Sequence, residues 1–138
     1  MISLTPNLPL PGAISVDTKE IGGHSGSTTV TAHLLIETAI TGDITIEKGG
    51  KVTVEGIITG DVTNRGELIV ENEGEIKGSL YHYGKLTFKG SLSQGGLYLK
   101  TGSQSEMDSQ KMSQIQTISS EPNAFVKMKS GGGFNVNR

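Results

Sequence analysis

The chain has 138 residues, 33 % of them apolar, with 20 glycines, no cysteine, no tryptophan and a formal charge of −2. That length reads as one domain, and so low an apolar fraction argues against a large round core. The near-neutral charge excludes a strong electrostatic pull on nucleic acid and a polybasic membrane anchor, and the lack of cysteine excludes a disulfide framework and thiolate metal sites.

Residues 1–31 are polar, with Pro6, Pro9 and Pro11 followed by "GGHSGSTTVT". Proline fixes φ and has no N–H to give, so this region is predicted to be an extended or disordered arm. It carries no basic and long apolar run of the kind a signal peptide needs, and no stretch of the chain nears the roughly 20 apolar residues of a spanning helix. A cytoplasmic location is expected, with membrane association left open.

Residues 32–102 repeat. Ile40–Thr45 reads ITGDIT and Ile58–Thr63 reads ITGDVT. Written in lines of 16 to 18 residues, the segment falls into apolar columns: Leu34, Val52, Leu68, Leu86; Ile36, Val54, Val70, Phe88; Ile40, Ile58, Ile76, Leu92; Ile44, Val62, Leu80, Leu97. Apolar residues two apart mark half-buried strands, and glycines such as Gly42, Gly60, Gly66 and Gly78 mark bends between them. A unit of about three short strands, recurring at this period, predicts an all-β, single-stranded parallel β-helix in which each coil stacks on the last. Four to five coils are expected. The series Leu34, Ile40, Ile46, Val52, Ile58 also suits a left-handed hexapeptide helix; the uneven coil length and paired strand positions favour a right-handed one. Val52, Val54, Ile58, Val62, Leu68, Val70, Ile76, Leu80, Leu86, Phe88 and Leu97 are predicted to serve core and assembly, with Phe88 and Leu97 on the last coil, where assembly contacts are expected.

Residues 103–138 are rich in Ser and Gln. They are predicted to be a tail, with a short helix over 107–118 from the spacing of Met107, Met112, Ile115 and Ile118.

The chemistry-bearing candidates are few. Asp43 and Asp61 would stack one coil apart, as turn-forming corners or as a cation site; the corner reading is preferred, because Ser79 replaces the third carboxylate. Glu37, Glu55 and Glu71, with Glu73 and Glu75 after them, read as a solvated outer face with nearby lysines. His82 reads as a corner histidine, and His24 and His33 share no regular spacing with it. Tyr81 and Tyr83 point away from His82 if the segment is extended, and make a candidate partner patch. No phosphate loop and no nucleophile–base pair are present, so no catalytic, cofactor or metal site is expected.

The lines "GKVTVEGIITGDV", "GELIVENEGEIKGSL" and "GKLTFKGSL" resemble the repeats of bactofilins, polymer-forming bacterial cytoskeletal proteins. The resemblance covers roughly residues 32–99. It implies a right-handed β-helix between disordered tails, end-to-end assembly into nucleotide-free filaments and a scaffolding role. The expected function is therefore a non-enzymatic structural protein whose partner is itself, through its end coils, with other proteins held by the tails. A β-helix component of a phage virion or cell-surface apparatus is the alternative, and a left-handed β-helix acyltransferase a third reading.

Overall fold

The computed structural model describes residues 1–129, which form a β-solenoid of about seven turns. Turn one holds β1 (Ile2–Ser3) and β2 (Ala13–Ile14), and turn two β3 (Thr18–Glu20), β4 (His24–Ser25) and β5 (Thr28–Val30). Turn three is β6 (His33–Ile36), β7 (Ala39–Thr41) and β8 (Ile44–Ile46); turn four is β9 (Lys51–Val54), β10 (Ile57–Ile58) and β11 (Val62–Asn64). Turn five is β12 (Glu67–Val70), β13 (Glu75–Ile76) and β14 (Leu80–His82); turn six is β15 (Lys85–Phe88), β16 (Ser91–Leu92) and β17 (Gly96–Leu99). In turn seven, β18 (Gln104–Asp108) and β19 (Thr117–Ser120) flank a short helix, α1 (Ser109–Ser113), and β20 (Phe125–Lys129) follows.

Every strand pairs in parallel with its counterpart one turn away, giving three sheets along the axis. One contains β1, β3, β6, β9, β12, β15, β18 and β20; a second β4, β7, β10, β13 and β16; the third β2, β5, β8, β11, β14, β17 and β19. The register turns the sequence columns into ladders. Leu34, Val52, Leu68 and Leu86 are successive partners in the first sheet, as are Ile36, Val54, Val70 and Phe88. Ile40, Ile58, Ile76 and Leu92 line up in the second, and Ile44, Val62, Leu80 and Leu97 in the third. All eleven residues predicted to serve core and assembly are buried in the single apolar core. Burying aliphatic side chains of this size contributes about 1.5–3 kcal/mol each, so the core grows with each added turn.

The repeated ITGD segment is the corner between the second and third sheets. Asp43 Oδ1 accepts the Asp61 N–H at 2.8 Å, and Asp61 Oδ1 accepts the Ser79 N–H at 2.8 Å. Ser27 Oγ accepts the Asp43 N–H, and Ser79 Oγ the Gly96 N–H. Each corner side chain thus satisfies a backbone donor of the next turn, which explains why Ser can stand where Asp does. Gly42, Gly60, Gly78 and Gly95 stack beside this ladder, where a Cβ on any of them would drive into the backbone of the turn before.

The expected boundaries need correction. Residues 1–31 are not a free arm: β1 to β5 make two turns of the solenoid, in register with the central ones. Their prolines are compatible with this because the amides turn one gives to turn two come from Ile2, Leu4, Asn7 and Leu10. Pro6 and Pro9 fall between those donors and Pro11 just after the last, at positions an edge strand can spare. Residues 103–129 are likewise no tail but the seventh turn and one strand more, so the array exceeds the four or five coils expected. The helix expected over 107–118 shrinks to 109–113. It is capped at its N-terminus by the Asp108 carboxylate, while Met107 belongs to β18 and Ile118 to β19. The remainder of the expected tail, 130–138, lies outside the described residues.

Candidate functional site: the ends and faces of the solenoid

The two ends differ from the middle. Eight large apolar side chains stand out as exposed among the described residues: Met1, Ile2, Leu8, Val16, Ile21, Tyr83, Ile118 and Phe125. All but Tyr83 belong to the first two turns or follow the sixth. At the N-terminal end, Ile2 is 56 % and Leu8 54 % exposed, and Leu4 is half-buried beside them. At the other end Phe125 is 51 % exposed, β19 is exposed throughout, and Val126 and Met128 are only partly covered. β1 and β2 at one end, and β19 and β20 at the other, stand at the margins of their sheets, each with one strand neighbour. Phe88 and Leu97, expected on the last coil, sit instead in turn six beneath Met107 and Ile118. They are core residues of the subunit, and the last-coil assembly role expected of both does not fit their place.

Beneath turn one lies a layer the sequence reading missed. Four of the inward positions of turn two are polar, Thr18, Glu20, His24 and Thr28, all buried; Val30 is the aliphatic one. The four polar residues continue the columns of Leu34, Ile36, Ile40 and Ile44 upward by sixteen residues. Glu20 Oε1 accepts the Thr38 N–H at 3.0 Å, and its Oε2 accepts from Gly23 N–H at 3.0 Å and Thr38 Oγ1 at 2.7 Å. His24 Nδ1 meets the same oxygen at 2.8 Å, and His24 Nε2 meets the Thr5 carbonyl of turn one at 2.8 Å. Burial alone would raise the Glu20 carboxyl. The bonds from Thr38, His24 and Gly23 outweigh it and hold the group below the usual carboxylate range.

His82 is a second buried histidine with the opposite surroundings. It stacks on Asn64 in the third sheet. Its Nδ1 lies 3.1 Å from Asn64 Nδ2, which can only donate, and its Nε2 lies 2.8 Å from the Gln104 carbonyl, which can only accept. The ring is therefore the neutral tautomer with its proton on Nε2. Burial pushes it below the usual histidine range, against the Gln104 bond that favours the charged form. It closes a corner, as expected. His33 is half-buried and its Nε2 approaches Thr53 Oγ1 at 3.2 Å. The three histidines do not converge, and among the described residues no group of three or more His, Asp or Glu could hold a metal ion.

Tyr81 and Tyr83 do project away from His82. Tyr81 stacks on Tyr98 of the next turn, with centroids 5.1 Å apart and planes 11° from parallel. The Arg65 guanidinium lies 4.9 Å from the Tyr83 ring centre. Both tyrosines are thus engaged within the chain, and only Tyr83 offers much open surface. The glutamate column is solvated, with Glu37 near Lys19 and Glu71 near Lys89. Among the described residues, no helix is long and apolar enough to cross a membrane.

Comparison of the chain with protein-family models, with curated proteins and with solved structures gave no match.

Proposed function

We propose that this chain is a non-enzymatic structural subunit that assembles with copies of itself through the end turns of its solenoid, into oligomers or filaments that serve as a bacterial cytoskeletal scaffold. One observation carries the reading: the exposed large apolar side chains gather at the two ends, with Tyr83 as the sole exception among those described. Solenoids that remain single usually finish in polar capping repeats, and open sheet edges invite pairing. Here β1, β2, β19 and β20 are margin strands with one strand neighbour each, and Ile2, Ile118 and Phe125 on them are exposed. The bactofilin-like lines of turns four to six support the same reading by resemblance. A contact that joins unlike ends would propagate into a filament, whereas one that joins like ends would stop at a dimer unless both ends adhere. A cytoplasmic scaffold, with or without attachment to a membrane, is the setting this reading implies.

Sedimentation velocity tests it. Wild-type protein should show concentration-dependent species larger than one subunit in the micromolar range. The pair Ile2→Asp and Leu8→Asp, both at exposed positions, should shift the distribution toward smaller species while leaving the melting curve almost unchanged. A wild-type chain that sediments as a monomer at tens of micromolar, at low and high salt alike, would overturn the proposal.

A further inference from the structure

Among the described residues the first sheet is the longest of the three. It runs through eight strands, from β1 to β20, against seven in the third sheet and five in the second. We infer that this sheet is the assembly joint: β20 of one copy pairs in parallel with β1 of the next, so the filament is polar, with every subunit pointing the same way. The inference rests on the assembly reading above and adds to it which ends meet, in what register and in what sense.

The backbone is phased for this junction. Within the sheet, residues with outward side chains bond back to the turn before, and residues with inward side chains bond forward. Glu67 N–H gives to the Gly50 carbonyl and Lys85 N–H to that of Gly66, whereas Ile2 N–H and Leu4 N–H give forward to the carbonyls of Asp17 and Lys19. At β1 the alternation turns the Ser3 N–H and C=O away from turn two. At β20, Phe125 N–H gives back to the Ser103 carbonyl, which turns the N–H and C=O of Val126 and Met128 away from β18. Carried across the junction, Ser3 N–H gives to the Val126 carbonyl and Met128 N–H to the Ser3 carbonyl, as successive turns do inside the subunit.

The side chains keep the same register. Ile2 heads the inward column that passes through Thr18 and Leu34, and Val126 ends it beyond Leu86 and Ser105. Leu4 and Met128, both packed against the core, end the neighbouring column. Stacking sets Ile2 on Val126 and Leu4 on Met128, apolar on apolar. On the outer face it brings Met1 beside Phe125, both exposed in the single subunit. Lys127 comes beside Ser3, and residues 1–16 bring no charged side chain to that edge.

Like ends fit less well. A twofold contact reverses the sense in which the three sheets follow one another around the axis, so one sheet at most meets itself and the other two are set against each other. Joined tail to tail through the first sheet, it would also bring Lys127 of both copies together, and like charges on facing strands destabilise the pair. The unlike junction keeps the order of all three sheets. The third follows one turn short, because β19 belongs to turn seven and β20 begins the next.

Disulfide trapping in the full chain tests the junction, since the sequence has no cysteine of its own. Register partners in adjacent strands lie about 4.8 Å apart, within reach of a disulfide. Ser3→Cys and Lys127→Cys are both at exposed positions, and Lys48→Cys, exposed on a central turn, gives the collisional background. Oxidised at tens of micromolar, Ser3→Cys alone and Lys127→Cys alone should give dimer only at the Lys48→Cys level. An equal mixture of the two should give dimer well above it, and the double variant a ladder of multimers that reduction abolishes. Dimer from either single variant at the yield of the mixture overturns the polar junction, and so does a mixture at background while wild type sediments as more than one subunit; in both cases the assembly reading stands. A wild type that sediments as a monomer, with no trapping, removes both. Should a cysteine variant melt early, Ile2→Asp and Phe125→Asp give the same readout by sedimentation. Each alone should be a monomer and mixing should restore a dimer, whereas a dimer from either alone overturns the junction.

Discussion

Gly60→Ala is the sharpest probe of the stacked corner. Gly60 follows Gly42 and precedes Gly78 in the glycine stack. An added Cβ would lie far inside contact distance of the Gly42 carbonyl and 2.5 Å from Asp43 Oδ1. Its φ lies outside the left-handed region, so the objection to alanine is one of space. The obstacle is backbone, pinned by the ladder through Asp43 and Asp61, so relief requires neighbouring turns to separate locally. Overpacking typically costs about 1–3 kcal/mol, and an unyielding neighbour puts this site at the upper end, about 3 kcal/mol. For a chain of this size that corresponds to a fall in Tm of roughly 10 °C. Gly12→Ala is the matched control, because a Cβ there meets nothing within 4 Å. It should leave Tm level or raise it slightly through the lower entropy of the unfolded chain. Thermal denaturation followed by circular dichroism reads both. A Gly60→Ala melt within a degree or two of wild type would refute the stacked-corner geometry.

Three other predictions are open to direct measurement. Val70→Asp places an unpaired carboxylate in the fully buried column of Val54 and Phe88, and should cost more than about 4 kcal/mol, seen as loss of the cooperative melt. Asp61→Ala removes the acceptor for the exposed Ser79 N–H and should cost about 0.5–1.5 kcal/mol, a fall of a few degrees in Tm. His82 is held neutral with its protonation disfavoured, so the unfolded chain binds the extra proton as pH falls through the ordinary histidine value of about 6.5. Stability should drop on that acid side, and chemical denaturation of His82→Gln should show the drop diminished.

The middle of the fold was readable from sequence because its columns are filled by Leu, Ile, Val and one Phe at steps of 16 to 18 residues. The first two turns keep a 16-residue step, as in Thr18 to Leu34. They were hidden because Thr18, Glu20, His24 and Thr28 occupy four of the inward positions, and because prolines suggest irregular chain. The spacing of His24 to Ile40 was the available signal. Turn seven was obscured differently: Ser105 and Ser120 stand in the columns of Leu86 and Leu99, and the steps lengthen to 19 residues into β18 and to 21 into β19, the latter spanning α1. The corner role of Asp43 and Asp61 was legible, but not that their carboxylates bond across turns. The Glu20–His24 pair was invisible, since only the register brings the Thr5 carbonyl and Thr38 to it.

The end-turn account is tested most directly by electron microscopy of the wild-type chain at tens of micromolar. It predicts narrow assemblies one solenoid wide, elongated along the solenoid axis. The axial repeat should be on the order of 35 Å per subunit, from about seven turns at ~4.8 Å each. Isolated particles of single-subunit size under all salt conditions, or sheets formed by side-to-side contact with the end turns free, would contradict it.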